Sequence, residues 1–282
     1  MPSSEALRRP PEWPASGSRY RLAFGFSVAL LVIAPLGIGL YYLSIGSSAG
    51  GRYALAFAAL GALVAWLGYE TRLRQRKPVE AVTNVRTEDG RGALRIPYSS
   101  QIYYGYGLLM GGIALVFVMA AVESVSDSVF GGAFFVFGLL ALFFASMPLL
   151  MTTGRFDRGY LRLSPEGIYQ RGWTFESFLP WDRVIGVFPR YSDGPQIVVV
   201  AEDDTPWQRR QITRLWRQDR LPKVQRQDRQ GPVPLIDIPG KFLAVDPTLV
   251  YHLVGFYLAN ERARAELGTE QAVHRAQTQA FG

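Results

Sequence analysis

The sequence predicts a multi-pass α-helical membrane bundle of four spans, followed by a soluble α+β domain folded as an antiparallel sheet or small barrel with a C-terminal helix. Three observations carry that reading. Charge is almost absent from four long windows and dense elsewhere, the partition of an integral membrane protein with a water-soluble part. Arginines gather on one side of those windows. After Gly154 the pattern changes to short alternating runs broken by Pro and Gly, the signature of antiparallel strands.

Composition sets limits on the chemistry. The chain carries a net charge of +7 from 30 basic residues, of which only Lys77, Lys223 and Lys241 are lysines. It contains no Cys, so neither a disulfide framework nor a thiolate metal site can form. His252 and His274 are too few and too far apart for a histidine zinc site. No nucleophile elbow, phosphate-cradling loop or partnered acid pair occurs. The chain is therefore not read as an enzyme, and no cofactor or metal is expected.

Residues 1–21 are rich in Pro, Ser and Gly without periodicity and read as a disordered cytoplasmic tail. The first transmembrane hairpin covers 22–69. Thirty residues, Leu22 to Gly51, carry no charge, and a helix over Leu22–Leu43 is long enough to cross a bilayer. Pro35, with Gly37 and Gly39, predicts a kink there. Small residues from Ser44 to Gly51 make the turn, and Tyr53–Tyr69 is a short second span. Ala54, Ala58 and Ala62, with Gly61, Ala65 and Gly68, give that span a small face suited to close helix approach.

Residues 70–104 form a basic cytoplasmic stretch. Within it, Ala81–Thr87 and Gly92–Ile96 flank Glu88-Asp89-Gly90-Arg91, whose Asp-Gly is a hairpin turn signal. A lone two-stranded hairpin is marginal in water, so it is expected to pack on the soluble half; a plain connecting loop is the alternative. The second transmembrane hairpin, 105–151, holds spans near Tyr104–Val122 and Val129–Met151. The Gly107/Gly111 pair in the first of them points to internal packing.

Charge sets the threading. Arg8, Arg9, Arg19 and Arg21 precede the first span, seven basic residues occupy the central stretch, and Arg155, Arg158 and Arg162 follow the fourth. The two opposite turns carry one basic residue between them, Arg52, beside Glu123 and Asp127. Both termini and the central stretch are therefore expected in the cytoplasm, with the spans in the cell membrane. No Asp, Glu, Lys, Arg or His lies inside a predicted span, which argues against a proton-coupled carrier.

The soluble domain, 152–268, reads as strands at Tyr160–Leu163, Ile168–Arg171, Thr174–Leu179, Val184–Phe188, Gln196–Ala201 and Leu235–Ile238. Asp246 suits a helix N-cap, Pro247 the first helical position, and Gly268 the end of the run. Residues 269–282 read as a tail.

Leu161-Arg162-Leu163-Ser164-Pro165-Glu166-Gly167-Ile168, followed by Leu179-Pro180-Trp181-Asp182-Arg183-Val184, resembles the opening of bacterial pleckstrin-homology-like (PH-like) domains. Ile236-Asp237-Ile238, Asp246-Pro247 and the closing helix are similar too. The resemblance covers about Tyr160–Leu267 and implies a PH-like barrel that binds lipids, peptides or proteins. It departs from that pattern in a long basic insert, 205–234.

The insert supplies the candidate binding residues Arg209, Arg210, Arg214, Trp216, Arg217, Arg220 and Lys223, with Trp207 interleaved. A solvated loop is the plain reading. The functional ones are an anionic lipid surface, which arginine and tryptophan suit, and a protein partner. Nucleic acid is not expected. Glu202-Asp203-Asp204 lacks the spacing of a calcium loop and reads as a solvated turn. His252 reads as a packing residue. The expected function is a membrane-anchored PH-like binding or scaffold module at the inner face of the cell membrane. The alternative is an accessory or gating subunit of a small transporter or channel.

Overall fold

The structure, a computed structural model, describes residues 7–14, 18–74, 79–87, 89–126, 132–203, 205, 208–216 and 234–281. The chain divides into two compact units: a helical one, Ser16–Arg74 with Gln101–Phe156, and a sheet-bearing one, Met1–Ala15 with Gln75–Ser100 and Asp157–Gly282.

The helical unit holds α1 (Ser18–Val28), a π turn (Ala29–Ile33), α2 (Ala34–Ser44), α3 (Ser48–Arg72), α4 (Ser100–Ser126) and α5 (Ala133–Thr152). Four helical stretches, Tyr20–Ser44, Ser48–Arg72, Ser100–Val125 and Ala133–Thr152, are long and apolar enough to cross a membrane. They mark the chain as a membrane protein. Large apolar side chains such as Leu22, Phe26, Leu139 and Leu142 stand exposed on them, as lipid-facing residues do.

The kink expected at Pro35 is a π turn. Pro35 has no N–H to give the Leu31 carbonyl four residues back. That carbonyl lies against Gly61 of α3, where a β-carbon would collide with it. The small face of α3 therefore packs where the first span is irregular, and Ala58 and Ala65 are buried. The turn between α2 and α3 is tighter than expected, only Ile45 to Ser47, with Gly46 at φ 79°. Gly105, Gly107 and Gly112 of α4 lie against Trp66, Met151 and Leu60, so they serve internal packing, while Gly111 faces open space. Arg52 forms an ion pair with Glu123, which also accepts from the Tyr53 hydroxyl at 2.6 Å. The single basic residue of the two far-side turns is thus neutralised locally. At the opposite end Glu70 is buried and pairs with Arg74 at 2.8 Å.

The second unit is built on two antiparallel sheets. The larger contains β1 (Thr83–Arg86), β2 (Gly92–Pro97), β3 (Tyr160–Leu163), β4 (Gly167–Arg171), β5 (Phe175–Pro180) and β8 (Gln208–Gln211), in the order β1-β2-β3-β4-β5-β8. The smaller contains β6 (Val184–Tyr191), β7 (Pro195–Ala201) and β9 (Leu235–Pro239), in the order β6-β7-β9. Among the described residues the strands form these two sheets and do not close into the expected barrel. A short 3-10 turn at Trp181–Arg183 carries the chain out of the first sheet, and β8 takes the free edge of β5.

The hairpin of the central stretch joins this unit as expected. Gly90 takes φ 76° in its turn, and Thr87 N–H donates to the Arg91 carbonyl at 2.8 Å. β2 pairs with β3, placing Leu94 opposite Leu163 and Ile96 opposite Leu161, all fully buried. Ile168 and Leu179 continue the same inner face. Burying four such side chains contributes on the order of 1.5–3 kcal/mol each before entropy is set against it.

Helix α6 (Pro247–Ala259) covers the smaller sheet, and Asp246 caps it by accepting from Thr248 N–H at 2.7 Å. It ends at Ala259, earlier than Gly268, because Asn260 leaves helical geometry and Arg264 caps the carbonyls of Tyr257 and Leu258. A 3-10 segment, Glu261–Glu266, and α7 (Glu270–Thr278) follow. The tail expected at 269–282 is thus largely helical. Ala272 and Ala276 are fully buried, and Arg275 clamps Glu266, which also accepts from Tyr257 at 2.8 Å. That hydrogen bond from Arg275 lowers the Glu266 pKa against the opposing effect of burial.

The N-terminal segment departs in part from the disordered tail expected of it. Residues 7–14 pack on the sheet-bearing unit: Trp13 is buried, donates its indole N–H to the Arg190 carbonyl at 2.9 Å, and meets Tyr251 edge to face. His252 contacts the Arg8 carbonyl at 2.9 Å, in keeping with a packing role.

Candidate ligand-binding surface

Among the described residues picked out in the basic insert, Arg209 and Arg210 do not share a face. Arg209 and Arg210 lie on β8, opposite Ser177 and Glu176 of β5. Successive side chains on a strand point to opposite faces, so the pair is divided between the two sides of the sheet. Arg209 leans over the Phe175 ring, 4.9 Å from its centre. Arg214 and Trp216 follow in a turn where Trp216 takes φ 58°. Arg217, Arg220 and Lys223 lie outside the described residues.

A different basic surface is assembled by the strand register. On the outer face of the larger sheet, Arg95, Arg162, Tyr169 and Phe178 stand opposite one another in one row. Pro97, Tyr160, Arg171, Glu176 and Arg210 form the next. The Arg95 guanidinium lies 4.5 Å from the Tyr160 ring centre and that of Arg162 lies 4.4 Å from Tyr169. The two tyrosine rings are 5.9 Å apart. The result is a continuous layer of guanidinium and phenol groups.

Two features of this layer are unfavourable for folding alone. Arg95 and Arg162 are like charges directly across a strand pair, which destabilises a sheet. Among the described residues neither forms an ion pair, and Arg95 Nε is buried without a hydrogen-bond acceptor. Arg171, by contrast, is buried between Asp157 at 3.7 Å and Glu176 at 3.9 Å and holds the Gly172 and Phe175 carbonyls. It is a structural arginine. Tyr169 is pushed up from its ordinary pKa chiefly by burial, with Tyr160 and Glu176 adding to it, so it stays a neutral phenol.

The acidic triplet behaves as a turn where it is described: Glu202 pairs with Arg183 at 3.0 Å. Among the described residues no cluster of His, Asp or Glu could hold a metal ion. Sequence reading missed Arg95 and Arg162 as partners because they stand in segments separated by the second transmembrane hairpin. The Tyr-x-Arg of β3 against the Arg of β2 was the available signal, but it becomes legible only once the register is known. Comparison of the chain with protein-family models, curated proteins and solved structures finds no match.

Proposed function

We propose that the chain is a membrane-anchored, PH-like binding module held at the inner face of the cell membrane, and that its cationic outer sheet face docks an acidic protein partner. The observation that carries the proposal is the Arg95–Arg162 pair: two guanidiniums stacked on tyrosine rings and lacking an ion-pair partner among the described residues. Stacking leaves the guanidinium edges available to carboxylates, which they bind in a bidentate fork. Four spans already anchor the chain, so attraction to lipid is not needed for recruitment, and a protein is the better reading.

The folding of residues 7–14, 79–100 and 157–281 into one unit supports the threading. Segments that fold together share one side of the membrane, which requires two crossings between each of them. The arginine bias then assigns that side to the cytoplasm. The test is isolation of the intact protein in mild detergent beside the Arg95→Gln/Arg162→Gln variant. A partner retained by the parent, released by salt and lost from the variant supports the reading. Identical recoveries from both proteins, or none from either, count against it.

A further inference from the structure

A cavity of about 340 Å³ opens within the helical unit between α1, α3 and α4. Leu31, Val64 and Leu109 contribute apolar wall, and Ala65 and Gly68 leave it room. A β-carbon on Gly68 would meet nothing within 4 Å. The two aliphatic hydroxyls on its lining are satisfied by their own helices: Ser27 donates to the Ala23 carbonyl at 2.8 Å and Thr71 to that of Leu67 at 2.7 Å. The interior therefore asks for no polar group. One end differs. There Tyr20 and Arg72 meet at the start of α1 and the end of α3, with the guanidinium 5.9 Å from the ring centre.

The dimensions fit one ligand class. The lining residues of the first span run from Tyr20 to Leu31, about 16 Å at 1.5 Å per residue, and about half of a ~30 Å hydrocarbon core. An apolar slot one leaflet deep, closed at its polar end by an arginine and an interfacial tyrosine, matches an amphiphile with a negative head. We propose that this groove holds one acyl chain of an anionic phospholipid, with its phosphate facing Arg72. The site is independent of the sheet face and of any partner docked there. It would fix the first span against α3 and α4 only in membranes that supply such a lipid.

The experiment uses the intact chain, reconstituted with equal amounts of phosphatidylglycerol and phosphatidylcholine and read by native mass spectrometry for retained lipid. The parent is expected to keep one phosphatidylglycerol in roughly fivefold preference, the order that one arginine at an anionic surface provides. Gly68→Leu places a side chain in open space and replaces a poor helix former. It should fold and lose both lipids. Arg72→Gln should keep a lipid but drop to equal occupancy. Retention by Gly68→Leu at the parental level would overturn the proposal, as would a parent that shows no headgroup preference. Should Gly68→Leu fail to fold, the Arg72→Gln comparison decides alone: an unchanged preference overturns the assignment of the headgroup.

Discussion

Gly92 and Gly268 meet backbone to backbone: a β-carbon on Gly92 would stand 2.8 Å from the Gly268 Cα, and one on Gly268 would run into Gly92. Gly92 opens β2 and Gly268, at φ 90°, leads into α7. The contact joins the central hairpin to the C-terminal segment without a side chain on either partner. Gly268→Ala combines a strained φ with a collision and is expected to cost about 2–4 kcal/mol. Gly90→Ala, also at positive φ but with nothing within 4 Å, is expected to cost about 1–2 kcal/mol. Thermal unfolding of both variants in detergent checks this, and equal losses would contradict it.

Trp13 is expected to stabilise the sheet-bearing unit from well outside its main sequence. Trp13→Ala removes a buried ring and the indole bond to Arg190, a loss of about 3–5 kcal/mol. Trp13→Phe keeps most of the ring and gives up the hydrogen bond, a loss nearer 1 kcal/mol. If neither substitution moves the unfolding midpoint, residues 7–14 are not part of the folded unit.

Asp237 on β9 predicts a pH dependence. Burial, opposed by the Arg190 charge, pushes its carboxyl up to about 6, and its Oδ1 is buried without a hydrogen-bond partner. The folded state therefore binds more protons than the unfolded chain between about pH 4 and 6. Stability falls as pH rises through that window and stays lower above it, by about 2–3 kcal/mol at most. Asp237→Asn should flatten the dependence. Unfolding midpoints of the two proteins are compared from pH 4 to 7, and parallel curves would refute the assignment.

In the helical unit, Gly61 and Gly68 lie seven residues apart on α3 and should respond in opposite ways. Gly61→Ala drives a methyl into the Leu31 carbonyl and should cost about 1–3 kcal/mol. Gly68→Ala meets nothing and should be neutral or stabilising by up to about 1 kcal/mol. Midpoints in detergent separate the two; a tolerated Gly61→Ala would mean that α3 and the first span are not in close contact.

Much of the fold is legible in the sequence because its signals are local. The four apolar windows, the Asp89-Gly90 turn and the β-branched run Ile197–Val200 each announce one element. The missed elements lack such signals. β8 is Gln-Arg-Arg-Gln, a polar run held in place by pairing with β5 rather than by apolar alternation. α7 buries only Ala272, Val273 and Ala276, too little apolar surface to stand out from a tail. Trp13 sits in a Pro-rich stretch without periodicity, and its ring is held by tertiary contact with Arg190 and Tyr251. The sheet face proposed for binding is hidden from sequence reading for a related reason. Contiguous arginines draw attention at 209–229, yet the strand period separates Arg209 from Arg210, while register brings Arg95 to Arg162.

Chain segments on either side of the second transmembrane hairpin fold into one sheet. The chain has no Cys, so an introduced pair reports without background. Arg95 and Arg162 are direct partners on β2 and β3, and antiparallel partners place their Cα atoms about 4.5–5.5 Å apart, within disulfide range. Arg95→Cys/Arg162→Cys in the membrane-embedded protein should close an intramolecular disulfide under mild oxidation. Arg95→Cys/Arg183→Cys, whose partners lie outside that register, should remain reduced. Failure of the first pair to close, or equal closure of both, would contradict the shared sheet.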